Sequence, residues 1–339
     1  MYDLIIIGGG PAAVAAGVYA ARKKLKTLLI TESFGGQSIV SDNIENWIGE
    51  KIITGFDLAK KLEEHVRAQE SIEIKMPERV TKVSEIPCAD GSPSPAGFGG
   101  ASKRPCDFLI ETDKGGSYET KAVIVTSGSR RRRLGVPGEG KFEGKGVAFC
   151  ATCDAPVFSG KRVAVVGGGN AGLEAVVDLF PYAAEIYLLH RGDQLKGDPV
   201  TQEEIRKNPK VKIVLNAGTQ EVLGDTFVTG LRYKDLKSGD MKELALDGVF
   251  VEIGAVPNSE IVKDIVQLNQ FGEIVIDHKT SATSKPGIFA AGDVTDEMYK
   301  QNNISVGDGV TAALSAYVYL LGLKKHSAAA EMPNAAGSE

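Results

Sequence analysis

The stretch Leu4-Ile5-Ile6-Ile7-Gly8-Gly9-Gly10-Pro11-Ala12-Ala13 decides the fold. Residues 2–7 form a short β-branched apolar run that reads as a strand, and it stops at the glycines. A helix pattern follows through Ala21, and Leu25 to Ile30 form a second strand ending at Glu32. Strand, glycine turn, helix and strand make a βαβ dinucleotide unit. Gly8 allows the tight turn, and Gly10 lets the backbone approach a pyrophosphate seated on the helix N-terminus. Ala13 is small enough for close packing of helix on strand. Glu32 stands about 20 residues on, where a carboxylate accepts hydrogen bonds from a ribose.

The pattern returns. Arg162 to Val166 is a strand, followed by Gly167-Gly168-Gly169-Asn170-Ala171-Gly172 and a helix to about Leu179. The next strand, Glu185 to Leu189, ends at His190-Arg191. Two nucleotide sites on one chain suggest two electron carriers.

Just ahead of the second unit stands Cys150-Ala151-Thr152-Cys153-Asp154. Two cysteines separated by two residues suggest a pair that opens and closes as a disulfide, and a sulfur near a helix N-terminus has a lowered pKa. Asp154 puts a carboxyl next to Cys153, where a proton must come and go if a thiolate is the leaving group. Half of a zinc site, or two inert thiols, are the alternatives. Zinc needs two more ligands; Cys88 and Cys106 flank a distant loop and the four histidines lack metal spacing, so no metal is expected.

The whole chain sets the bounds. Its 339 residues leave room for two domains, and 42% hydrophobic with 24% charged residues is a globular composition. A net charge of −5 argues against a generally basic nucleic-acid binder. Four cysteines, only two of them closely spaced, point to a reducing compartment. No positive region precedes the first strand, and no apolar run is read as approaching the ~20 residues that span a bilayer. A cytoplasmic protein without a membrane partner is expected.

Residues 55–70 read as an amphipathic helix with Phe56, Leu58, Leu62 and Val66 on one side, and residues 72–86 and 107–125 as strands around a Gly/Ser/Pro-rich insertion from Asp90 to Arg104. A strand over Lys121 to Thr126 ends at Ser127-Gly128, before four arginines, Arg130 to Arg133. Such a run reads as a solvated turn, or as a docking patch for an acidic partner. Residues 211–252 alternate as strands and turns. Gly287 to Asp293 is a strand running into Gly292-Asp293, whose N–H groups and carboxylate can serve the first nucleotide; a helix is expected over roughly Gly309 to Leu321. Residues 324–339 are Ala/Ser/Pro-rich and read as a disordered tail.

In this order the pieces resemble the low-molecular-weight thioredoxin reductase family along nearly the whole chain. The resemblance is carried by the two glycine units, Phe34-Gly35-Gly36-Gln37, Glu45-Asn46-Trp47, the Cys-Ala-Thr-Cys-Asp segment and Ala291-Gly292-Asp293-Val294. It implies an α/β fold of two nucleotide-binding, three-layer Rossmann-like domains. The NAD(P)H domain, residues 118–249 with the CxxC, is inserted into an FAD domain made of residues 1–117 and 250–323. A homodimer and a rotation of the inner domain are implied as well. Carried over by position, Gly8, Gly10, Pro11, Glu32, Gly36, Gln37, Asn46, Gly128, Asp293 and Gln301 contact FAD. Gly167, Gly169, Asn170 and Gly172 hold the pyrophosphate of NADPH or NADH. Cys153 lies nearer the flavin, Cys150 attacks the protein substrate and Asp154 is the general acid.

The sequence also departs from that family. Pro156 and Val157 stand where thioredoxin reductases carry two aromatic residues that dock thioredoxin. Asp154-Ala155-Pro156-Val157-Phe158, Leu195-Lys196-Gly197-Asp198 and Tyr299-Lys300-Gln301 are more similar to the flavoprotein subunit of alkyl hydroperoxide reductase. That subunit has an extra N-terminal thioredoxin-like domain with no counterpart here, so electrons are expected to leave to a separate thioredoxin-like protein. The motif that reads a 2′-phosphate, His-Arg-Arg and a later Arg, runs His190-Arg191-Gly192 with Lys196 in the later position. The expected activity is FAD-dependent transfer from NAD(P)H through Cys150–Cys153, with NADPH modestly favoured. The same fold fed by another electron-transfer protein, and a non-catalytic flavin-binding redox sensor, are the rival expectations.

Overall fold

The structure, a computed structural model, describes residues 1–41, 44–86 and 107–330. The expected hairpin tip with Cys88 and Cys106 lies outside the described residues. Strand β1 (Tyr2–Ile7) is central, paired in parallel with β2 (Thr27–Ile30) on one side and β6 (Ser117–Val125) on the other. Both of its faces are covered, which explains the unbroken apolar run. Leu4 and Ile6 face one core and Ile5 and Ile7 the other, as the two-residue period of a strand requires.

Helix α1 (Pro11–Arg22) starts on Gly10 with Pro11 in its first turn, where a missing N–H costs nothing. Helix α2 (Gly55–Arg67) is capped by Thr54, whose hydroxyl oxygen accepts the Asp57 N–H at 3.0 Å. Its buried side is Leu58, Ala59, Leu62 and Val66; Phe56, expected with them, is 67% exposed. Beyond β2 lies β3 (Ile72–Lys75), while β4 (Val80–Ile86) and β5 (Asp107–Thr112) form an antiparallel meander with β6.

The chain then leaves this sheet through β7 (Ser129–Arg131) and builds a second one. Its members are β8 (Val147–Ala148), β9 (Arg162–Val166), β10 (Glu185–His190), β11 (Val211–Leu215) and, after a three-stranded antiparallel layer of β12 (Ala217–Gly224), β13 (Val228–Asp235) and β14 (Met241–Ala245), β15 (Gly248–Val251). The order β11-β10-β9-β15-β8 is parallel throughout. The short helix α3 (Ala151–Asp154), α4 (Asn170–Leu179) and α5 (Pro199–Lys207) belong to this half. The return strand β16 (Ala255–Pro257) pairs antiparallel with β7, so the two passes between the halves are hydrogen-bonded to each other. Strands β17 (Ile276–Asp277), β18 (Ala282–Thr283) and β19 (Ile288–Ala290) then complete the first, nine-stranded sheet.

The fold class is therefore the expected one: α/β, with one Rossmann-like unit inserted in another. The expected boundaries fall elsewhere. The 117/118 boundary cuts β6, which lies wholly in the first sheet, and 249/250 cuts β15, which lies in the second. Helix α6 (Asn302–Ala330) also departs from expectation, starting before Gly309 and continuing past residue 324. Its portion Asn302–Lys324, with mean hydropathy 1.4, is long and apolar enough to cross a membrane by length and composition, contrary to the reading above. Its inner face, Ala312, Ala313, Ala316, Tyr319, Leu320 and Leu323, is packed in the core with α1 and the sheet, and core helices meet the same test. Each large buried apolar side chain contributes about 1.5–3 kcal/mol, against 0–1 kcal/mol for an exposed ion pair such as Lys60–Glu64. The sheets, not the surface charges, hold the fold.

Candidate active site

The two glycine turns are built by the same backbone device. Gly8 has φ +129° and donates its N–H to Ile30 O at 2.9 Å; a Cβ on it would lie 2.3 Å from Thr126 O. Gly167 has φ +143° and donates to Leu189 O at 3.0 Å; its Cβ would lie 2.1 Å from Glu252 O. Only glycine fits either position. The helices that follow begin at Gly10 and Gly169, and neither cap position offers a side-chain acceptor. Their first N–H groups are thus available to a pyrophosphate.

The first turn opens on a cleft of about 660 Å³. Gly8, Gly10, Pro11, Glu32, Gly36, Gln37, Asn46, Gly128, Gly292, Asp293 and Gln301 all line it, drawn from both outer segments of the chain and the crossing between them. Ala13 does not; it is buried in α1 against the sheet. Gln37 Nε2 donates to Ser129 Oγ at 3.0 Å and to Asp293 Oδ2 at 3.2 Å, while its buried Oε1 has no partner in the protein. Burial pushes the Asp293 carboxyl up, against the pull of Lys300, Arg131 and the Ser305 hydroxyl. A carboxylate at the end of β2, a helix N-terminus, an orphaned amide oxygen and a buried carboxyl fit the ribose, pyrophosphate and polyol of a flavin adenine dinucleotide.

Other features of the cleft leave no mark in the sequence. Asn258 donates Nδ2–H to Ser127 O at 2.8 Å, and its main-chain N–H reaches Gly128 O at 3.0 Å. Arg130 donates to Asn258 Oδ1 at 2.7 Å and to Glu260 Oε1 at 2.6 Å. Arg133 forms two bonds with Glu143, at 2.7 and 3.0 Å, and stacks on Phe149. Of the arginine run, Arg130 and Arg131 line the cleft on β7 and Arg130 and Arg133 are paired with carboxylates, while Arg130, Arg132 and Arg133 are exposed, as a solvated run is.

Cys150 and Cys153 are joined as a disulfide, Cα atoms 5.4 Å apart, and both line the same cleft. Cys153 Sγ lies 3.9 Å from Asn46 Nδ2, an outer-segment residue whose carbonyl accepts from Asn303 at 2.7 Å. The cysteine turn is held by Asp154 N–H donating to Cys150 O at 3.0 Å and by Thr152 Oγ1 donating to Asp178 Oδ2 at 2.7 Å. Behind it, burial pushes the Glu252 carboxyl up to about 7, with Arg131 and the Ala151 N–H opposing and Asp154 and Asp178 adding to the rise. Among the described residues no group of His, Cys, Asp or Glu is arranged to hold a metal.

At the second turn Gly167, Gly169, Asn170 and Gly172 come together; Asn170 Oδ1 accepts the Asp198 N–H at 2.8 Å, and Lys196 N–H donates to Gly168 O at 2.7 Å. The His190 ring lies over the turn, where a Cβ on Gly168 would meet its Cγ at 2.5 Å, and its buried Nε2 has no partner. Burial and the Lys196 charge push that imidazole below its ordinary value, and Arg191 adds to this against the Gln194 backbone and Asp193.

Known proteins resemble this chain in sequence and fold. Residues 2–309 match the family described as pyridine nucleotide-disulphide oxidoreductase. An NADH dehydrogenase of Bacillus subtilis is 42% identical over 320 residues, covering 94% of this chain and 59% of that protein. An alkyl hydroperoxide reductase subunit of Pseudomonas aeruginosa is 44% identical over 321 residues, covering 94% and 58%. The chain thus spans less than two thirds of the length of these relatives. The crystal structure of a thioredoxin reductase from Streptococcus pyogenes superposes with a TM-score of 0.83 at 33% identity, covering 95% of this chain and 98% of that one. A doubled nucleotide turn, a disulfide in the cleft of the first turn and a match over nearly the whole chain lead to one conclusion: the chain belongs to the pyridine nucleotide-disulphide oxidoreductase family.

Proposed function

We propose that this chain is an FAD-dependent disulfide reductase that takes electrons from NADPH or NADH and passes them, through Cys150–Cys153, to a thioredoxin-like protein. One observation carries the reading: the disulfide lines the same cleft as the Gly8–Gly10 turn and Asp293. FAD, when bound there, supplies a two-electron carrier between a pyridine nucleotide and a disulfide. The protein's own part is to seat and orient. The α1 N-terminus and Gly8 hold the pyrophosphate, Glu32 the ribose, and Gln37 and Asp293 the polyol. Asn46 holds Cys153 Sγ at the cleft wall. Cys153 is accordingly the inner sulfur and Cys150 the one that attacks the partner's disulfide. Asp154, on the same turn, carries the proton that the leaving thiolate needs.

The second turn seats the nicotinamide cofactor through the α4 N-terminus, with His190, Arg191 and Lys196 toward its 2′ position. The thioredoxin-like partner is supported by the 95% overlap with a thioredoxin reductase. A homodimer in a reducing, cytoplasmic setting, with an inner domain that rotates, belongs to the same proposal. Anaerobic titration of the purified protein with NADPH and NADH tests it: the flavin band should bleach, and a protein disulfide added afterwards should restore it. A preparation that neither binds FAD nor can be reconstituted with it would sink the reading. Bleaching by another electron-transfer protein, but by neither nucleotide, would favour the same fold with a different donor.

A further inference from the structure

Asn46 sits on a loop closed at its base by Ile44 and Ile53, whose main chains exchange bonds of 2.8 and 3.0 Å. Asn303, in the first turn of α6, holds the loop from the other side. Its Nδ2 donates to Asn46 O at 2.7 Å, and its Oδ1 accepts the Ile48 N–H at 3.3 Å. The Asn46 amide nitrogen is then shared: it donates to Gln301 Oε1 at 3.4 Å and lies 3.9 Å from Cys153 Sγ. Gln301 thereby fixes which end of the amide faces the sulfur, since turning the amide over would set two oxygens against each other.

The two sulfurs of the disulfide are thus placed differently. Cys153 Sγ meets an N–H from the outer half of the fold, while Cys150, the N-cap of α3, makes no side-chain capping bond. A disulfide sulfur is a weak acceptor, and 3.9 Å is a loose contact. A thiolate is a charged acceptor, which an N–H meets more closely and more strongly. The Asn46 amide therefore favours the state in which the bond is open and Cys153 carries the charge. The charged and titrating side chains around the turn are Asp154 within it, Asp178 of α4, Glu252 after β15, and Arg131, Asp293 and Lys300 along the cleft.

We propose that Asn46 holds Cys153 as the thiolate of the opened pair, with Gln301 and Asn303 as the positioning residues that aim its amide. The step balances. Two electrons, from reduced flavin or from a dithiol in solution, break the Sγ–Sγ bond; Cys150 Sγ takes one proton from solvent and Cys153 Sγ keeps its electron pair as a thiolate. Each opening thus consumes two electrons and one proton, where a pair of thiols would consume two protons. The donor matters only above the pH at which Cys153 gives up its proton; below it both sulfurs are thiols and the amide gains nothing. Removing the donor makes the pair harder to open at high pH, by up to about tenfold for one charge-assisted bond, and leaves the low-pH equilibrium unchanged.

The inference rests on the proposal that Cys150–Cys153 is redox-active, and the test separates the two. The purified flavoprotein, Asn46→Ala, Asn46→Asp and Asn303→Ala are equilibrated anaerobically with dithiothreitol buffers from pH 5.5 to 8.5. Thiols are trapped by alkylation in denaturant, and the peptide carrying Cys150 and Cys153 is counted by mass. All four proteins should agree at pH 5.5. At pH 8.5 Asn46→Ala should be about tenfold harder to reduce, and Asn46→Asp, which has the same shape but adds a charge, harder still. Asn303→Ala, at a position that does not line the cleft, should fall between the wild type and Asn46→Ala; it carries the test if an Asn46 variant loses its flavin. Curves that stay parallel over the range, superposed or offset, overturn the role of Asn46 and leave the disulfide reading standing. A pair that dithiothreitol opens in none of the four proteins overturns both.

Discussion

The turns at Gly8 and Gly167 share their backbone and differ in what stands around it. Thr126, at the end of β6, and Glu252, at the end of β15, hold equivalent places: each donates its N–H to the residue before the glycine turn, Ile7 or Val166, at 2.9 Å. The Thr126 hydroxyl then donates to Ile7 O at 2.8 Å, whereas burial pushes the Glu252 carboxyl up to about 7. At the end of the second strand the contrast runs the other way. Glu32 lines the cleft beside Arg79, at 3.7 Å, while His190 packs against its own glycines, Gly168 and Gly192. Repetition of the backbone thus gives two helix N-termini behind a glycine turn, the two seats proposed for a pyrophosphate. The side chains at the strand ends differ, and the cleft that the disulfide lines is the one at the first turn.

The sharpest way to break this pairing is to damage one seat at a time. Alanine at position 8 or 167 sets a Cβ 2.3 Å from Thr126 O or 2.1 Å from Glu252 O, at a φ that non-glycine residues avoid. The strain is on the order of 1–3 kcal/mol before any clash is relieved. Gly8→Ala should purify folded but colourless and lose all activity. Gly167→Ala should stay yellow and still be bleached by dithionite, but no longer by a nicotinamide nucleotide. A yellow Gly8→Ala beside a colourless Gly167→Ala, judged by flavin absorbance per folded chain, would reverse the assignment.

The second test separates the cleft from the disulfide that lines it. Cys150→Ser and Cys153→Ser should each abolish reduction of a protein disulfide and leave flavin reduction by the nucleotide at the wild-type rate, read by stopped-flow absorbance. Disulfide reductase activity surviving in Cys153→Ser would refute the scheme.

The parts legible in the sequence are those whose cause is local. Both glycine units announce themselves because an apolar run, a glycine cluster and a helix must be contiguous. The CxxC-Asp turn is five consecutive residues. The meeting of Arg130 with Asn258 and Glu260 is not legible, because it spans about 130 positions and depends on β7 pairing with β16. Glu252 is equally silent, since one carboxylate at a strand end carries no pattern. The helix expected from about Gly309 begins at Asn302. In the fold, Gly309 is a packing residue, with a Cβ excluded by Ala12 O at 2.2 Å. The tail reading weighs composition above the helix propensity of alanine; the helix continues to Ala330, and residues 331–339 lie outside the described residues. The domain boundaries slip because β6 and β15 are apolar strands that sequence alone cannot allot to one sheet or the other.

The smallest expected effect concerns the 2′ position of the nicotinamide cofactor, where the two strand ends differ most. A carboxylate there accepts a ribose 2′-OH and repels a 2′-phosphate. The second unit has no such group: His190 stands in its place, held below its ordinary pKa, with Nε2 unpaired and Arg191 and Lys196 acting on it. A phosphate would meet one guanidinium, one ammonium and an imidazole that must first gain a proton. Bound phosphate favours the imidazolium, so binding takes up a proton and NADPH affinity should rise as pH falls from 8 to 6.5, while NADH affinity stays flat. The arginine absent at Gly192 is worth about 1.5–3 kcal/mol, or ten- to a hundredfold in affinity. Gly192→Arg should recover part of this for NADPH and little for NADH. Its Cβ would meet His190 Nε2 at 2.8 Å, so the ring must swing off the turn, and the gain should fall toward tenfold. Flavin-reduction titrations with both nucleotides decide the matter: NADH-exclusive turnover in the wild type, or an unchanged NADPH-to-NADH ratio in Gly192→Arg, would show that His190 and Arg191 do not face the 2′ position.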